Sequence, residues 1–158
     1  MKEIQLTRGM VALVDDEDYP DLSQFRWAAY RGTNTVYAQR YVNLDGKYTT
    51  MLMHRQILDA KPGEQVDRKN HNGLDCRREN IRKCTTSQNH ANRRKRIGGS
   101  SAFKGVAWDE SRRLWQAVIQ LDRKSVWLGR FTDEQTAARA YDAAAKRMFG
   151  EFALLNFR

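Results

Sequence analysis

The chain is 158 residues long, 41% hydrophobic and 30% charged, with a formal charge of +9 at pH 7. That length allows one or two domains with small cores, and the basic excess points to a polyanionic partner. No apolar run reaches bilayer length and no leader pattern opens the chain, so a membrane protein is not expected and a soluble, intracellular one is.

In chain order, Glu3–Leu6 and Met10–Val14 read as short strands, and the acidic run Asp15, Asp16, Glu17, Asp18 opens a helical turn ending near Phe25. Val36–Val42 and Lys47–Met53 alternate around Asn43-Leu44-Asp45-Gly46, whose Asp-Gly pair is a strong hairpin signal. Trp27, Tyr30, Tyr37 and Tyr41 have the chemistry to touch nucleic acid, but aromatic residues on strands more often serve the core. Met53–Ile57 begins a short helix on which His54 reads as a packing or hydrogen-bonding residue. Residues 1–60 are therefore a β-rich segment.

Glu64–Arg68 is the next strand, Lys69–Asp75 a long loop and Asn80–Thr85 a second strand. A helix follows, because Thr85-x-x-Gln88 is a capping-box pattern. This stretch, 61–96, is expected to form one unit with 1–60. Basic residues crowd it and its sequel: Arg77, Arg78, Arg82, Lys83, Arg93, Arg94, Lys95, Arg96 and Lys104 stand against one acid, Glu79. The run Arg93, Arg94, Lys95, Arg96 leads into a linker, 97–101, and is suited to tracking phosphates. Cys76 and Cys84 are too far apart for a CxxC pair, and the chain has only His54, His71 and His90. A structural zinc site is not expected, and reduced thiols are.

The last segment, 102–158, has its own grammar. Phe103–Trp108, Leu114–Leu121 and Lys124–Leu128 are aromatic and β-branched strands, with turns at Asp109–Arg113 and Asp122-Arg123. Thr132-x-x-Gln135 caps a helix along which Ala137, Ala138, Tyr141, Ala144, Ala145 and Met148 recur at helical spacing, and Gly150 ends it. The predicted class is α+β, with a three-stranded antiparallel sheet packed on one helix at the C-terminal end.

Two family resemblances follow from particular residues. Val66 to Asn92, reading VDRKNHNGLDCRRENIRKCTTSQNHAN, resembles the ββα-metal motif of HNH homing endonucleases. The resemblance implies Asp67 and Asn89 as anchors of a single Mg2+ or other divalent cation, with no organic cofactor. It implies Asn80 as the group that orients a general-base His at position 68, where this chain has Arg68. A guanidinium has no lone pair to accept a proton. Arg68 leaves three readings open: a degenerate nuclease that only binds DNA, an inactivating substitution, or a substitute base at His71.

Phe103-Lys104-Gly105-Val106, Trp115, Val126-Trp127-Leu128-Gly129, Ala137-Ala138-Arg139-Ala140-Tyr141-Asp142 and Leu155-Asn156-Phe157 are similar to the plant ethylene-response-factor, or APETALA-type, DNA-binding domain. There the sheet enters the major groove of duplex DNA, which implies Lys104, Trp127 and Trp108 on the DNA face and Trp115 in the core. Strand alternation adds Arg112, Arg113, Gln116, Gln120 and Arg130. Ala107 replaces an Arg of the plant pattern, so base preference does not carry over. The order of the two motifs resembles phage and bacterial HNH endonucleases carrying such a module. It implies a mobile-element endonuclease of double-stranded DNA, impaired at Arg68, in the cytoplasm of a bacterial or phage-infected cell. The alternative is a non-catalytic, sequence-specific DNA-binding protein, either a regulator or a nuclease remnant. No motif identifies a protein partner.

Overall fold

The computed structural model describes residues 1–157. The chain divides into two compact units between Cys84 and Thr85.

In the N-terminal unit, β1 (Lys2–Gln5) pairs antiparallel with β2 (Val11–Val14). A short α1 (Tyr19–Leu22) follows the acidic run, with Pro20 at its first turn. The meander β3 (Ala28–Arg31), β4 (Val36–Leu44) and β5 (Lys47–Leu52) comes next. Asp45 and Gly46 join β4 to β5 with φ of 51° and 81°, the left-handed pair that a two-residue hairpin turn needs. The strand β3 was not expected, since alanine is a poor strand former. It exists because its neighbour supplies the ladder, and Ala29 lies opposite Ala38 with both side chains buried.

Helix α2 (Met53–Ile57) then leads to β6 (Gln65–Arg68), which pairs with β7 (Ile81–Cys84) so that Asp67 faces Arg82. Ile4, Leu6, Val14, Leu22, Trp27, Met53, Val66 and Ile81 close the core. The Trp27 indole N–H donates to Leu22 O at 2.8 Å, so its one polar atom is satisfied in the interior. Asp15 and Asp18 are drawn onto Arg78, whose backbone N–H donates to Asp15 at 2.7 Å and whose guanidinium donates to Asp18 at 2.7 and 3.0 Å. The acidic run is thus a clasp on the segment before β7.

The C-terminal unit opens with α3 (Thr86–Asn92), where both halves of the Thr85–Gln88 capping box form. Strands β8 (Val106–Asp109), β9 (Leu114–Leu121) and β10 (Lys124–Phe131) make an antiparallel sheet in the order β10-β9-β8. Helix α4 (Glu134–Phe149) buries Ala137, Ala138, Tyr141, Ala144 and Ala145 among Val106, Ala117 and Ile119 of the sheet. Its N-cap is Asp133, which accepts from the Thr136 N–H at 2.7 Å, so the expected Thr132 cap is displaced by one residue. A carboxylate at that place also meets the positive end of the helix dipole. Gly105, at φ 75°, has to be glycine, because any Cβ there would run into the Tyr141 ring.

The sequence reading placed α3 with residues 61–84, whereas the structure groups it with the C-terminal unit. Ala91 is buried in the same cluster as Tyr141, Ala145 and Phe149, and Ala91 O accepts from Leu154 N at 3.1 Å. Ser87 exchanges hydrogen bonds with Asp122 in the β9–β10 turn, at 2.6 and 3.0 Å.

Candidate nucleic-acid interface

Of the sheet's two faces, α4 covers the one bearing Val106, Ala117, Ile119 and Val126. The pairing register places Ala107, Gln116, Val118, Gln120, Ser125, Trp127 and Arg130 on the other. Trp127 is 57% exposed there, an unusual position for the largest apolar side chain. The Arg130 guanidinium carbon lies 5.2 Å from the Trp127 ring centroid. Arg130 also donates to Asp109 at 3.1 Å, and Arg112 approaches the same carboxylate at 3.6 Å. The Ser111 hydroxyl first, and Arg130 after it, hold the Asp109 carboxyl below its ordinary range. The Asp109 carboxylate is thereby paired with two guanidinium groups, and the outer face itself carries Gln116, Gln120 and Arg130.

Arg130 shares a face with Trp127 only because of a β-bulge. They are three positions apart, and strict alternation within β10 would send Arg130 to the helix side. The register shifts between Trp127 and Gly129, so that Trp127 pairs with Val118 and Arg130 with Gln116. Gln116 and Gln120 lie on this face, while Arg112 and Arg113 sit exposed in the β8–β9 turn. Ser125 opposite Gln120, and Arg123 and Lys124 at the β9–β10 turn, are exposed beside it and were missed by sequence reasoning. The alternation of β10 was the signal that could have found Ser125.

Trp108 and Lys104, expected on the DNA face, lie away from the outer face of the sheet. Trp108 pairs with Trp115, not with the outer face; their rings meet edge-on at 5.0 Å, and the Trp108 indole donates to Glu110 at 2.6 Å. Lys104 is spent on α3, since its ammonium donates to the carbonyls of His90 and Ala91 at the C-terminal end of that helix. Burial pushes its pKa down to about 8, with Asp142 opposing the shift. A lysine there complements the helix dipole. In the run of residues 93–96, Arg93, Arg94 and Arg96 are exposed, and Lys95 folds back onto Arg96 O at 3.1 Å.

The resemblance centred on Asp67 meets a different arrangement in the N-terminal unit. Asp67 is buried, and one of its oxygens takes N–H bonds from Arg82 at 3.0 and 2.9 Å. Arg68 lies over the Tyr37 ring at 4.8 Å, donates to the Tyr37 hydroxyl at 3.2 Å and approaches His54 Nε2 at 3.3 Å. Burial first, then Arg68 and Arg55, push His54 down to about 3. The ring is therefore neutral, with Nε2 as acceptor and the proton on Nδ1.

Asn80 orients no imidazole. It accepts from Asn70 N at 2.9 Å and donates to Asp75 O at 2.7 Å, stapling the loop in which His71 takes a left-handed φ of 64°. Asn89, the second implied anchor, belongs to the other unit. A carboxylate already claimed by a guanidinium, with a second guanidinium next in the strand, does not fit a resident divalent cation. The Cys76 thiol is buried and pushed up to about 12, which makes it an inert core residue.

No family model and no solved structure matches the chain. Relatives are found among plant AP2/ERF-type proteins. An AP2/ERF and B3 domain-containing protein of Oryza sativa subsp. japonica is 50% identical over 58 residues, covering 37% of this chain and 16% of that protein. An AP2/ERF and B3 domain-containing transcription repressor of Arabidopsis thaliana is 42% identical over 59 residues, or 37% and 16%. Dehydration-responsive element-binding protein 2A of Arabidopsis thaliana is 43% identical over 61 residues, or 35% and 17%. The chain thus spans about a sixth of the length of these relatives, and the likeness is to AP2/ERF-type proteins over 58–61 residues. These plant relatives conflict with the nuclease, homing-endonuclease, magnesium and phage expectations and with a bacterial or phage-infected cell, and those readings are withdrawn. Among the described residues no helix is long and apolar enough to cross a membrane.

Proposed function

We propose that this chain is a non-catalytic, sequence-specific binder of double-stranded DNA, acting as a regulator through the outer face of its β8–β10 sheet. The observation that carries this reading is the exposed Trp127–Arg130 pair, set beside Gln116 and Gln120 on a face that α4 does not cover. Charge adds support. Residues 85–158 hold fourteen Lys and Arg against seven Asp and Glu, a net +7 of the chain's +9, while residues 1–84 hold fourteen against twelve. Two of the relatives, a transcription repressor and a dehydration-responsive element-binding protein, point the same way.

The chemistry suits base reading. A glutamine amide presents a donor and an acceptor together, which matches the N6 and N7 edge of adenine in the major groove. Arg130 can take guanine O6 and N7 or a phosphate, and the Trp127 ring offers apolar area to a sugar or a thymine methyl. The turn residues Arg112, Arg113, Arg123 and Lys124 then reach phosphates on either side, fixing register without reading sequence.

The test is fluorescence anisotropy of the full chain on a duplex that it selects from a random-sequence pool. Gln116→Ala and Gln120→Ala are expected to relax preference at one base position each. Retention of full preference by both variants would refute base reading by this face.

A further inference from the structure

Residues 93–99 open the connection from α3 to β8 within the C-terminal unit, and both ends of this stretch are tied down. At the near end Lys104 holds the carbonyls of His90 and Ala91, and Arg93 N donates to His90 O at 3.1 Å. Just past the far end, Ser100 Oγ accepts from the Trp108 backbone N–H on β8 at 2.8 Å, and Ser101 Oγ donates to Glu134 at 2.7 Å. The segment is therefore a pinned loop rather than a slack linker. At its tip Ile97 is fully exposed, at 103%. Around it Arg93, Arg94 and Arg96 are exposed, and among the described residues their guanidinium groups make no ion pair or hydrogen bond. Arg112 and Arg130 of the same unit are, by contrast, both held by Asp109. Gly98, at φ 94°, and Gly99 allow the chain to turn back directly after Ile97.

We propose that this loop is a clasp that enters the DNA minor groove beside the sheet's site, with Ile97 as a wedge against a base step and Arg94 and Arg96 along the groove walls. The proposal rests on the sheet face binding a duplex as described above. Three strands spaced about 4.8 Å apart occupy most of a major groove about 12 Å wide. Because β8 is an edge strand and Ser100 ties the loop to it, the loop stands at the lip of that groove, where a phosphate strand passes. Seven residues fixed at both ends reach out roughly 10 Å, which spans one backbone strand to a minor groove about 6 Å wide. Narrow minor grooves concentrate negative potential that attracts arginine. Apolar wedges between base steps are a general device of proteins that bind there.

Hydroxyl-radical footprinting of the full chain on its selected duplex, which reads sugars lining the minor groove, tests the clasp. The wild-type protein is expected to protect a core site and one flanking minor-groove segment. Ile97→Ser, and separately the double variant Arg94→Ala with Arg96→Ala, should lose the flank and keep the core, with affinity about tenfold lower. Netropsin, a minor-groove ligand, should weaken the wild type and leave the variants nearly unaffected. A core footprint without a flank, or a flank unchanged in both variants, overturns the clasp and leaves the sheet reading intact. No protection anywhere overturns the sheet reading and the clasp with it.

Discussion

Arg130 lies over the Trp127 ring at 5.2 Å because the bulge between Trp127 and Gly129 turns the strand by one residue. The stack holds a flat apolar surface and a cation in one fixed geometry on an open sheet face, where neither has a core to serve. Trp127→Ala is expected to weaken duplex binding by about 1–3 kcal/mol, and Trp127→Phe by less, since a smaller ring still accepts the guanidinium. Anisotropy titrations of the two variants measure the difference. Equal losses for both would show that the stack itself does not matter.

The buried Asp67–Arg82 pair spans β6 and β7, with side-chain exposures of 5% and 11%. Removing one partner strands a charge in the interior, so Arg82→Ala should destabilise the N-terminal unit by about 3–5 kcal/mol. The double variant with Asp67→Asn should cost less than the sum of the single changes, because the stranded charge is gone. Urea unfolding of the four proteins closes the cycle, and additive losses would contradict a direct pair.

Lys104 makes stability depend on pH in a defined direction. Burial lowers its folded-state pKa to about 8 from an ordinary 10.5, so between those values the unfolded chain binds more protons than the folded one. Lys104's contribution to stability should therefore rise from pH 8 towards 10.5. Comparing urea midpoints of the wild type and Lys104→Met across that window isolates the effect from other titrating groups. A difference between the two proteins that stays flat with pH would contradict the buried ammonium.

Much of the fold was legible in short-range chemistry, while the interface depended on long-range pairing. Asp45-Gly46 announced the β4–β5 turn, Thr85 and Gln88 announced α3, and the alanine stripe announced the buried face of α4. Alternation put Arg130 among the candidates without disclosing the β10 bulge, and it is the bulge that sets Arg130 on the same face as Trp127. Trp108 looked equivalent to Trp127 as an aromatic on a strand, yet it alternates in step with the buried Val106 and meets Trp115 on the helix side. Lys104 fell in a motif-like position, and only the return of α3 onto the C-terminal unit shows what it bonds. The spacing of Asp67, Asn80 and Asn89 suggested a metal centre. Arg82 on Asp67 and the loop-stapling bonds of Asn80 give two of those residues other tasks.

The docking of α3 sets the smallest stable form of the C-terminal unit. A fragment beginning at Thr85 is expected to be more stable than one beginning at Ser100 by about 2 kcal/mol. The difference is the worth of burying Ala91 and making the Ser87, Lys104 and Leu154 bonds at net values near 0.5–1.5 kcal/mol each. Thermal melts of the two fragments by circular dichroism decide it, and coincident melts would show α3 to be a passive appendage.

The central claim is that the outer face of the β8–β10 sheet contacts duplex DNA, and nuclear magnetic resonance of the full chain titrated with its selected duplex tests it most directly. The indole N–H of Trp127 and the side-chain amides of Gln116 and Gln120 are expected to shift on binding, while the indole of Trp115 on the α4 side stays in place. Shifts confined to the exposed side of α4 or to residues 1–84, with Trp127 unmoved, would contradict the assignment.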